Sequence, residues 1–322
     1  MEREEFFESR GANIYGTLTL PEKGTDFAAC LFIGGALPQT REGDVDNSKV
    51  DWFPRPLPER RLLREEAGIL KQIGMATFRY DKRGCGKSEG DFDTTGLFDL
   101  VDDARMALRW LRSLPEVDSE RVGILGQSEG AIIAQILAAE DPGIGFVVWQ
   151  GGAHSNIEGI IRWQAEAFWK LDSEVINNMR QNAPLIYWGY KQVDDLIVSA
   201  QKGERFFRLG DEGWSFHRYL PWYKEHFDNP PSRFVDKVKC PVLILHGELD
   251  HNCPRAEAEK TKQVLIDAGN ANVTMHIFPG LDHSFRRLGD PDEDFITAMK
   301  RPLDPAMPEA LTNWLSSFSI LE

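Results

Sequence analysis

Gly126-Gln127-Ser128-Glu129-Gly130 stands between two stretches of different character. Residues 121–125 before it form a short apolar run typical of a buried strand, and residues 131–139 after it are small and helix-forming. A strand, a tight turn with a serine between glycines, and a helix make up a nucleophile elbow. Because the glycines let strand and helix pass closely, this segment predicts a strained Ser128 with its hydroxyl held above a sheet, at the positive end of a helix.

The pentapeptide alone also fits an ordinary strand-to-helix turn, so its meaning depends on the acid and histidine that a reactive serine needs. Residues 240–247 form an apolar, β-branched run, and Asp250 follows shortly after it. Residues 273–278 alternate like a strand, and His283 follows the break after them. We therefore expect Ser128, Asp250 and His283 to lie at the carboxyl ends of strands, where open α/β sheets place their sites.

Two other carboxylates compete with Asp250 for the role of the acid. Glu248 comes earlier in the same turn, and Asp282 precedes His283 directly and is expected to point elsewhere. Asp250 is favoured over both. The remaining histidines show no spacing typical of metal ligands, and His276 lies within a predicted strand: His154, His217, His226, His246, His251 and His276.

Composition excludes several classes of protein. The chain has 322 residues, of which 42% are hydrophobic, and a net charge of −14, which disfavours nucleic acid or an anionic membrane as a partner. The charged N-terminus lacks the apolar region of a signal peptide, and no apolar run approaches the about 18 residues of a membrane span. Four scattered cysteines indicate reduced thiols. We expect a cytoplasmic protein.

Strands and helices alternate along most of the chain, which predicts a mostly parallel sheet flanked by helices. Residues 37–58 form a long polar loop of the kind that is usually functional. The predicted elements are a hairpin over 4–20, strands over 27–33, 75–80 and 146–149, and helices over 59–73, 97–114, 254–268 and 305–318.

The alternation breaks at residues 153–235, which are rich in tryptophan and helical in character. We predict a core in two parts, residues 1–152 and 236–322, with the helical segment inserted as a cap over the strand ends. The aromatic residues of this cap fit ordinary packing, substrate contact or both. They include five tryptophans: Trp163, Trp169, Trp188, Trp214 and Trp222.

Residues 84–88, Gly-Cys-Gly-Lys-Ser, invite comparison with a phosphate-binding loop. Such a loop requires a glycine where Asp81 stands and a helix directly after the serine, whereas residues 89–93 read as a loop. The sequence therefore argues against nucleotide binding. Asp81 and Arg83 are expected instead to hold the loops around the elbow through buried ion pairs, with Arg41 as a partner.

Three motifs together resemble the α/β-hydrolase superfamily. Residues 35–42 resemble the G-S-G-P-x-D-R-D loop of its bacterial serine carboxylesterases and acylaminoacyl-peptidase-like hydrolases. Residues 79–88 resemble the Y-D-K-R-G-x-G-x-S turn of that branch, and residues 126–130 resemble its G-H-S-E-G elbow. Residues 27–322 follow the order of elements in this superfamily, with the cap after the sixth strand.

The resemblance implies an α/β-hydrolase fold, a mostly parallel central sheet flanked by helices with a helical cap insertion. It implies a catalytic triad of Ser128, Asp250 and His283. It also implies an oxyanion hole formed by the backbone N–H groups of Ala36 and Glu129.

Two positions depart from the usual pattern of this superfamily. The His-Gly pair that usually precedes the oxyanion residue is Gly34-Gly35 here, and the usual histidine before the nucleophile is Gln127. Neither position belongs to the triad, but both shape the oxyanion hole.

The function expected from these residues is hydrolysis of a carboxylic ester of a small apolar or aromatic substrate through an acyl-enzyme on Ser128. A peptidase or thioesterase with the same triad, and a non-hydrolytic lyase or ligand receptor of the same fold, are the alternatives. No cofactor, metal, nucleic acid or membrane is expected, and a homodimer is left open. The residues expected to line the substrate pocket are Leu37, Trp52, His154 and Trp163.

Overall fold

The computed structural model describes residues 1–50, 56–290, 293 and 295–317. The strands in this part of the chain are β1 (Glu2–Ser9), β2 (Ala12–Thr19), β3 (Phe27–Ile33), β4 (Ala76–Tyr80), β5 (Val117–Gln127), β6 (Val147–Gln150), β7 (Phe206–Gly210), β8 (Ser215–Tyr219), β9 (Val242–Gly247) and β10 (Val273–Phe278). Within the described residues, all but β7 and β8 form one eight-stranded sheet in the order β1-β2-β4-β3-β5-β6-β9-β10. The pairings from β4 to β10 are parallel, and β1 and β2 are antiparallel additions at one edge.

Helices cover both faces of the sheet. The helices in the described residues are α1 (Leu62–Gln72), α2 (Leu97–Arg112), α3 (Glu129–Glu140), α4 (Ile157–Phe168), α5 (Ser173–Asn182), α6 (Pro184–Lys191), α7 (Val193–Gln201), α8 (Pro221–Asp228), α9 (Arg255–Asp267), α10 (Phe295–Met299) and α11 (Ala306–Ser316). One apolar core joins α2, α3 and α9 to the sheet, and a second joins α1 and α11 to it. Because both faces are covered, the central strands are near-continuous apolar runs, as in β3 and β9.

The N-terminal hairpin and the parallel strands lie where the sequence pattern predicts them. Helix α1 begins at Leu62 rather than at residue 59, because Arg61 has a left-handed backbone conformation with φ 51° that a helix cannot include. Helix α2 ends at Arg112, two residues before the predicted end. The last predicted helix ends at Ser316, and residue 318 lies outside the described part of the chain.

The segment between β6 and β9 holds α4 to α8 and also the antiparallel hairpin β7–β8. The helical pattern predicted for this segment did not include the hairpin, whose strands are short and half-exposed. This segment, which we call the cap, has its own apolar cluster, centred on Leu196, Ile197, Leu209 and Phe227. The boundaries of the three predicted parts of the chain stay a prediction.

A membrane-crossing helix needs both length and a strongly apolar composition. None of the helices in the described residues combines the two.

A buried carboxyl group lies beneath the carboxyl end of the sheet. Glu66 of α1 is fully buried, and its Oε1 accepts a hydrogen bond of 2.6 Å from Gln150 Nε2. Burial raises the pKa of Glu66 to about 8, although Gln150 and Arg286 oppose the rise. Both Glu66 Oε2 and Gln150 Oε1 are buried without a partner in the described residues. A protonated Glu66 would carry a hydroxyl that can donate a hydrogen bond, which an ionised carboxylate cannot do.

Glu66→Gln is expected to stabilise the protein at alkaline pH. The folded state holds the Glu66 proton up to about pH 8, whereas the unfolded chain loses it near the ordinary pKa of 4.5. The stability of the wild type therefore falls as pH rises between these values, and a glutamine removes that fall. Thermal unfolding at pH 5 and pH 8.5 tests this, with Glu259→Gln on the exposed face of α9 as a control. A variant that loses stability equally at both pH values contradicts the neutral carboxyl.

Candidate active site

The turn between β5 and α3 is the strained elbow that the sequence predicts. Ser128 has φ 57° and ψ −116°, a backbone conformation that non-glycine residues rarely adopt. A Cβ atom at Gly126 would lie 2.2 Å from the carbonyl oxygen of Gly130, and one at Gly130 would lie 2.0 Å from that of Ile33. The two glycines therefore allow α3 to start directly against β5 and β3, with Ser128 at the tip of the turn.

Asp250 and His283 form a buried pair at the ends of β9 and β10. His283 Nδ1 lies 2.6 Å from Asp250 Oδ2, and Asp250 Oδ1 accepts the backbone N–H groups of Asn252 and Cys253, each at 2.8 Å. Burial opposes ionisation of Asp250, but His283 and the nearby His246 outweigh it and lower the pKa of the carboxyl. An ionised Asp250 holds the proton of His283 on Nδ1 and leaves Nε2 as the basic nitrogen.

The segment Gln150–Gly151 lies between the elbow and His283. The Ser128 N–H donates to the carbonyl of Gln150 at 2.8 Å, and a Cβ atom at Gly151 would lie 2.8 Å from His283 Cε1. Ser128 and His283 thus contact the same short stretch of chain. Among the described residues no hydrogen bond joins the Ser128 hydroxyl to His283, and such bonds are often long before a substrate binds.

The competing carboxylates have other partners. Asp282 Oδ1 accepts the backbone N–H groups of Ser284 and Arg286, at 2.9 Å and 2.8 Å, and burial raises the pKa of Asp282. Glu248 Oε2 accepts the N–H of Gly280 at 3.1 Å. Asp282 and Glu248 therefore brace the turn around His283, and the contact with its imidazole is made by Asp250.

The backbone N–H groups of Ala36 and Glu129 have no hydrogen-bond acceptor in the described part of the chain. Lys82 Nζ donates to the carbonyl of Gly35 at 2.7 Å. Because the C=O and N–H of one trans peptide point in opposite directions, this bond turns the Ala36 N–H away from Lys82. A Cβ atom at Gly35 would lie 3.2 Å from Ser128 Cβ, so this peptide runs directly past the serine.

The Glu129 side chain has a second role that the sequence reasoning missed. Its Oε2 accepts from Lys82 Nζ at 2.7 Å, and its Oε1 accepts from Trp222 Nε1 at 2.6 Å and lies 3.1 Å from His226 Nε2. Burial would raise the pKa of Glu129, but Lys82 and His226 outweigh it and lower the pKa to about 2. The sequence contains one indication of this role, which is the presence of an acid, Glu129, in the elbow motif and of a lysine, Lys82, in the motif at residues 79–88.

Further ion pairs hold the loops around the elbow, as predicted. Arg41 Nη2 lies 2.6 Å from Asp81 Oδ2, and Arg83 pairs with Asp103 of α2. All four side chains are buried or nearly so. The segment that resembles a phosphate loop is therefore a structural turn anchored through Asp81, whose Oδ2 also accepts the Lys87 N–H at 3.1 Å.

A small cavity of about 40 Å³ opens next to Ala36. It is lined by loop and cap residues: Ala36, Phe92, Asp93, Thr95, Leu100, Phe216, Arg218, Tyr219, Trp222 and Tyr223. Sites for organic ligands usually have volumes of about 300–1,000 Å³, so a substrate must displace some of these side chains. A larger cleft of about 560 Å³ lies within the cap, bounded by residues such as Arg180 and Trp214, and contains none of the predicted site residues.

Of the predicted pocket residues that the structure describes, none lines the cavity next to Ala36. Leu37 is 42% exposed and does not line the cavity next to Ala36. His154 and Trp163 do not line it either, and the His154 backbone N–H donates to Glu257 at 3.1 Å. Trp52 lies outside the described residues. Apart from Ala36, the residues that line the cavity come from the 92–100 segment and from β8 and α8 of the cap.

Metal binding would require a cluster of donor side chains. In the described ranges, no group of three or more His, Cys, Asp or Glu side chains is placed to hold a metal ion. The four cysteines are free thiols, and Cys30, Cys85 and Cys253 are buried.

The chain was compared with protein-family models and with curated proteins, and both comparisons found relatives. A family model described as X-Pro dipeptidyl-peptidase (S15 family) matches residues 38–276. The human serine hydrolase BPHL is 26% identical over 246 residues, which cover 70% of this chain and 72% of that protein. An uncharacterized protein YfhR from Salmonella typhimurium is 27% identical over 191 residues, 59% of this chain, and YuxL, an uncharacterized peptidase from Bacillus subtilis, is 32% identical over 95 residues, 27% of this chain. The chain spans half of YfhR and 14% of YuxL.

Solved structures of other proteins have the same architecture as this chain. Est1E from Butyrivibrio proteoclasticus, with ferulic acid bound, superposes with a TM-score of 0.60 at 17% identity, covering 97% of this chain and 99% of that one. The esterase Pf2001 from Pyrococcus furiosus superposes with a TM-score of 0.60 at 15% identity, covering 98% and 91%. At these identities the likeness concerns the fold, and it confirms the predicted α/β-hydrolase architecture.

Replacing Asp250 and Asp282 one at a time tests which of the two carboxylates orients His283. Asp250→Asn is expected to lower kcat for an ester substrate by about 10⁴-fold, because an amide favours the wrong imidazole tautomer. Asp282→Asn, the matched control, leaves His283 paired with Asp250 and is expected to lower kcat by less than about tenfold. Steady-state kinetics with circular dichroism as a folding control measure both. Equal losses in the two variants contradict the assignment of Asp250.

Replacing Lys82 tests how the Gly35–Ala36 peptide is held. Lys82→Met combined with Glu129→Gln removes the buried ion pair without leaving one charge alone, and it frees the Gly35 carbonyl. We expect kcat to fall by about 10²–10³-fold with little change in KM, the loss typical of one oxyanion donor. Lys87→Met, on the exposed side of the same loop, serves as the control. A rise in KM with kcat intact contradicts this role.

Proposed function

Since this chain belongs to the X-Pro dipeptidyl-peptidase (S15) family and has an α/β-hydrolase fold, we propose that it is a serine hydrolase that cleaves carboxylic esters through an acyl-enzyme on Ser128. The observation that carries the proposal is the buried Asp250–His283 pair, 2.6 Å between Nδ1 and Oδ2, next to a serine in a strained turn. A serine hydroxyl is a weak nucleophile at neutral pH, and such a pair supplies the base that it needs.

Acylation begins when His283 Nε2 takes the proton of the Ser128 hydroxyl as Oγ attacks the ester carbonyl carbon. The carbonyl oxygen becomes negatively charged in the tetrahedral intermediate, and the N–H groups of Ala36 and Glu129 stabilise that charge. The intermediate collapses when the C–O bond to the alcohol breaks and the departing oxygen takes the proton from His283. The acyl group is then bonded to Ser128 Oγ.

Deacylation repeats the sequence with water. His283 removes a proton from a water molecule, whose oxygen attacks the acyl carbon and forms a second tetrahedral intermediate at the same donors. The bond to Ser128 Oγ breaks, and the serine recovers its proton from His283. Asp250 stays ionised throughout and stabilises the imidazolium that forms in both halves, consistent with its lowered pKa.

The aromatic lining of the cavity next to Ala36 supports a small apolar or aromatic substrate. A peptidase is the second candidate, because the family takes its description from an X-Pro dipeptidyl-peptidase. The same triad also serves thioesters, and a lyase or receptor of this fold would bind without net hydrolysis. A panel of one acyl group as its 4-nitrophenyl ester, thioester and anilide, with an X-Pro 4-nitroanilide, ranks these candidates by kcat/KM.

Ser128→Ala is expected to lower kcat on 4-nitrophenyl butyrate by about 10⁴-fold or more, because the residue that carries the acyl group is lost. The same variant is expected to lose labelling by a fluorophosphonate, which the wild type accepts. Ser113→Ala, on the exposed end of α2, is the control and keeps both activities. If the wild type neither hydrolyses 4-nitrophenyl butyrate nor is labelled by the fluorophosphonate, the proposal is refuted.

A further inference from the structure

The cavity next to Ala36 contains one arginine among its aromatic walls. Arg218 lies on β8 of the cap, and the other cap residues around it present rings to the same space: Phe216, Tyr219, Trp222 and Tyr223. Trp222 is itself fixed by its hydrogen bond to Glu129. The wall that carries Arg218 is therefore tied to the elbow, close to the predicted oxyanion donor.

Two contacts orient the Arg218 side chain. Its Nε donates to the hydroxyl of Tyr223 at 3.0 Å, and its guanidinium carbon lies 5.6 Å from the centre of the Tyr223 ring. The residue is half-buried. The contact with the ring and one hydrogen bond hold the guanidinium in place, so less conformational entropy is lost when it binds a further partner.

The charge of Arg218 is not balanced by an ion pair among the described residues. Both terminal amino groups of its guanidinium also lack a hydrogen-bond acceptor in the described part of the chain. Asp93 lines the same cavity, but it is exposed to solvent, and within the described ranges no ion pair joins it to Arg218. Arg41 and Arg83, in the loops around the elbow, by contrast each pair with a carboxylate.

We infer that Arg218 binds an anionic group of the substrate, of the carboxylate class, while the surrounding rings pack against its apolar part. The two terminal amino groups of an arginine match the two oxygens of a carboxylate, and a half-buried site strengthens such a pair. The inference rests on the proposed function, because Ala36 marks where the ester carbonyl would lie. It narrows the substrate to an ester that carries a negative charge at a fixed distance from the scissile bond.

Half-esters of dicarboxylic acids test the inference directly. 4-Nitrophenyl hydrogen succinate, glutarate, adipate and pimelate place a carboxylate at increasing distance from the ester, and the corresponding methyl esters are neutral controls of nearly the same shape. We expect the wild type to prefer the anionic member at one chain length by about 10- to 100-fold in kcat/KM, the range of a charged hydrogen bond. The preference is expected to weaken as salt is added.

Arg218→Gln is expected to abolish the preference and the chain-length optimum, so that kcat/KM falls far more for the anionic esters than for the methyl esters. Arg218→Lys, which keeps the charge but not the planar geometry, is expected to retain part of the preference. Arg208→Gln is the matched control, because Arg208 lies on the paired strand β7, is exposed and does not line the cavity. Equal losses on anionic and neutral esters in Arg218→Gln overturn the inference.

A binding measurement separates this inference from the proposed hydrolysis. Ser128→Ala removes turnover, and calorimetric titration with 3-phenylpropanoate and with its neutral amide then reports on the cavity alone. We expect the double variant Ser128→Ala/Arg218→Gln to bind the carboxylate at least about tenfold more weakly, with the affinity for the amide unchanged. If no ester is hydrolysed but this difference is found, the proposed function fails and the anion site stands. If binding of the carboxylate does not depend on Arg218, the anion site is refuted whatever the ester kinetics.

Discussion

The buried carboxylate of Glu129 joins three parts of the molecule that are far apart in sequence. It accepts from Lys82, which also holds the Gly35 carbonyl, and it accepts from Trp222 and contacts His226 in the cap. An ion pair removed from water is stable only when its remaining atoms are also hydrogen-bonded, and here both oxygens are. The elbow, the loop that carries Ala36 and the cap therefore hold one another in position through a single side chain.

This contact also accounts for how the strained turn is maintained. Ser128 adopts an unfavourable backbone conformation that persists only where its surroundings determine it. The start of α3 is fixed by Glu129 on the cap side and by the close approach of Gly130 to β3 on the sheet side. Asp250 and His283 follow the neighbouring parallel strands β9 and β10, so the sheet sets their spacing, while the Glu129 network positions the loop of Ala36 and the cap.

Much of the fold and of the site could be predicted from the sequence, because periodicity and glycine placement act locally. The elbow at Ser128 and the strands that precede Asp250 and His283 could be predicted for this reason. The Arg41–Asp81 pair could be expected from the motifs at residues 35–42 and 79–88. The hairpin β7–β8 could not be predicted from helical patterning, since its strands are short and half-exposed. The pocket walls at Phe216 and Arg218 depend on where the cap packs, which is decided by tertiary contacts such as Trp222–Glu129.

The central claim is that Ser128 carries the acyl group during turnover. Mixing the wild type with excess 4-nitrophenyl butyrate, quenching with acid within the first turnovers and measuring intact mass and peptide masses tests it directly. The account predicts a mass increase equal to one butyryl group, confined to the peptide that contains Ser128. Turnover with no acylated protein, or with the acyl group on another residue, contradicts it.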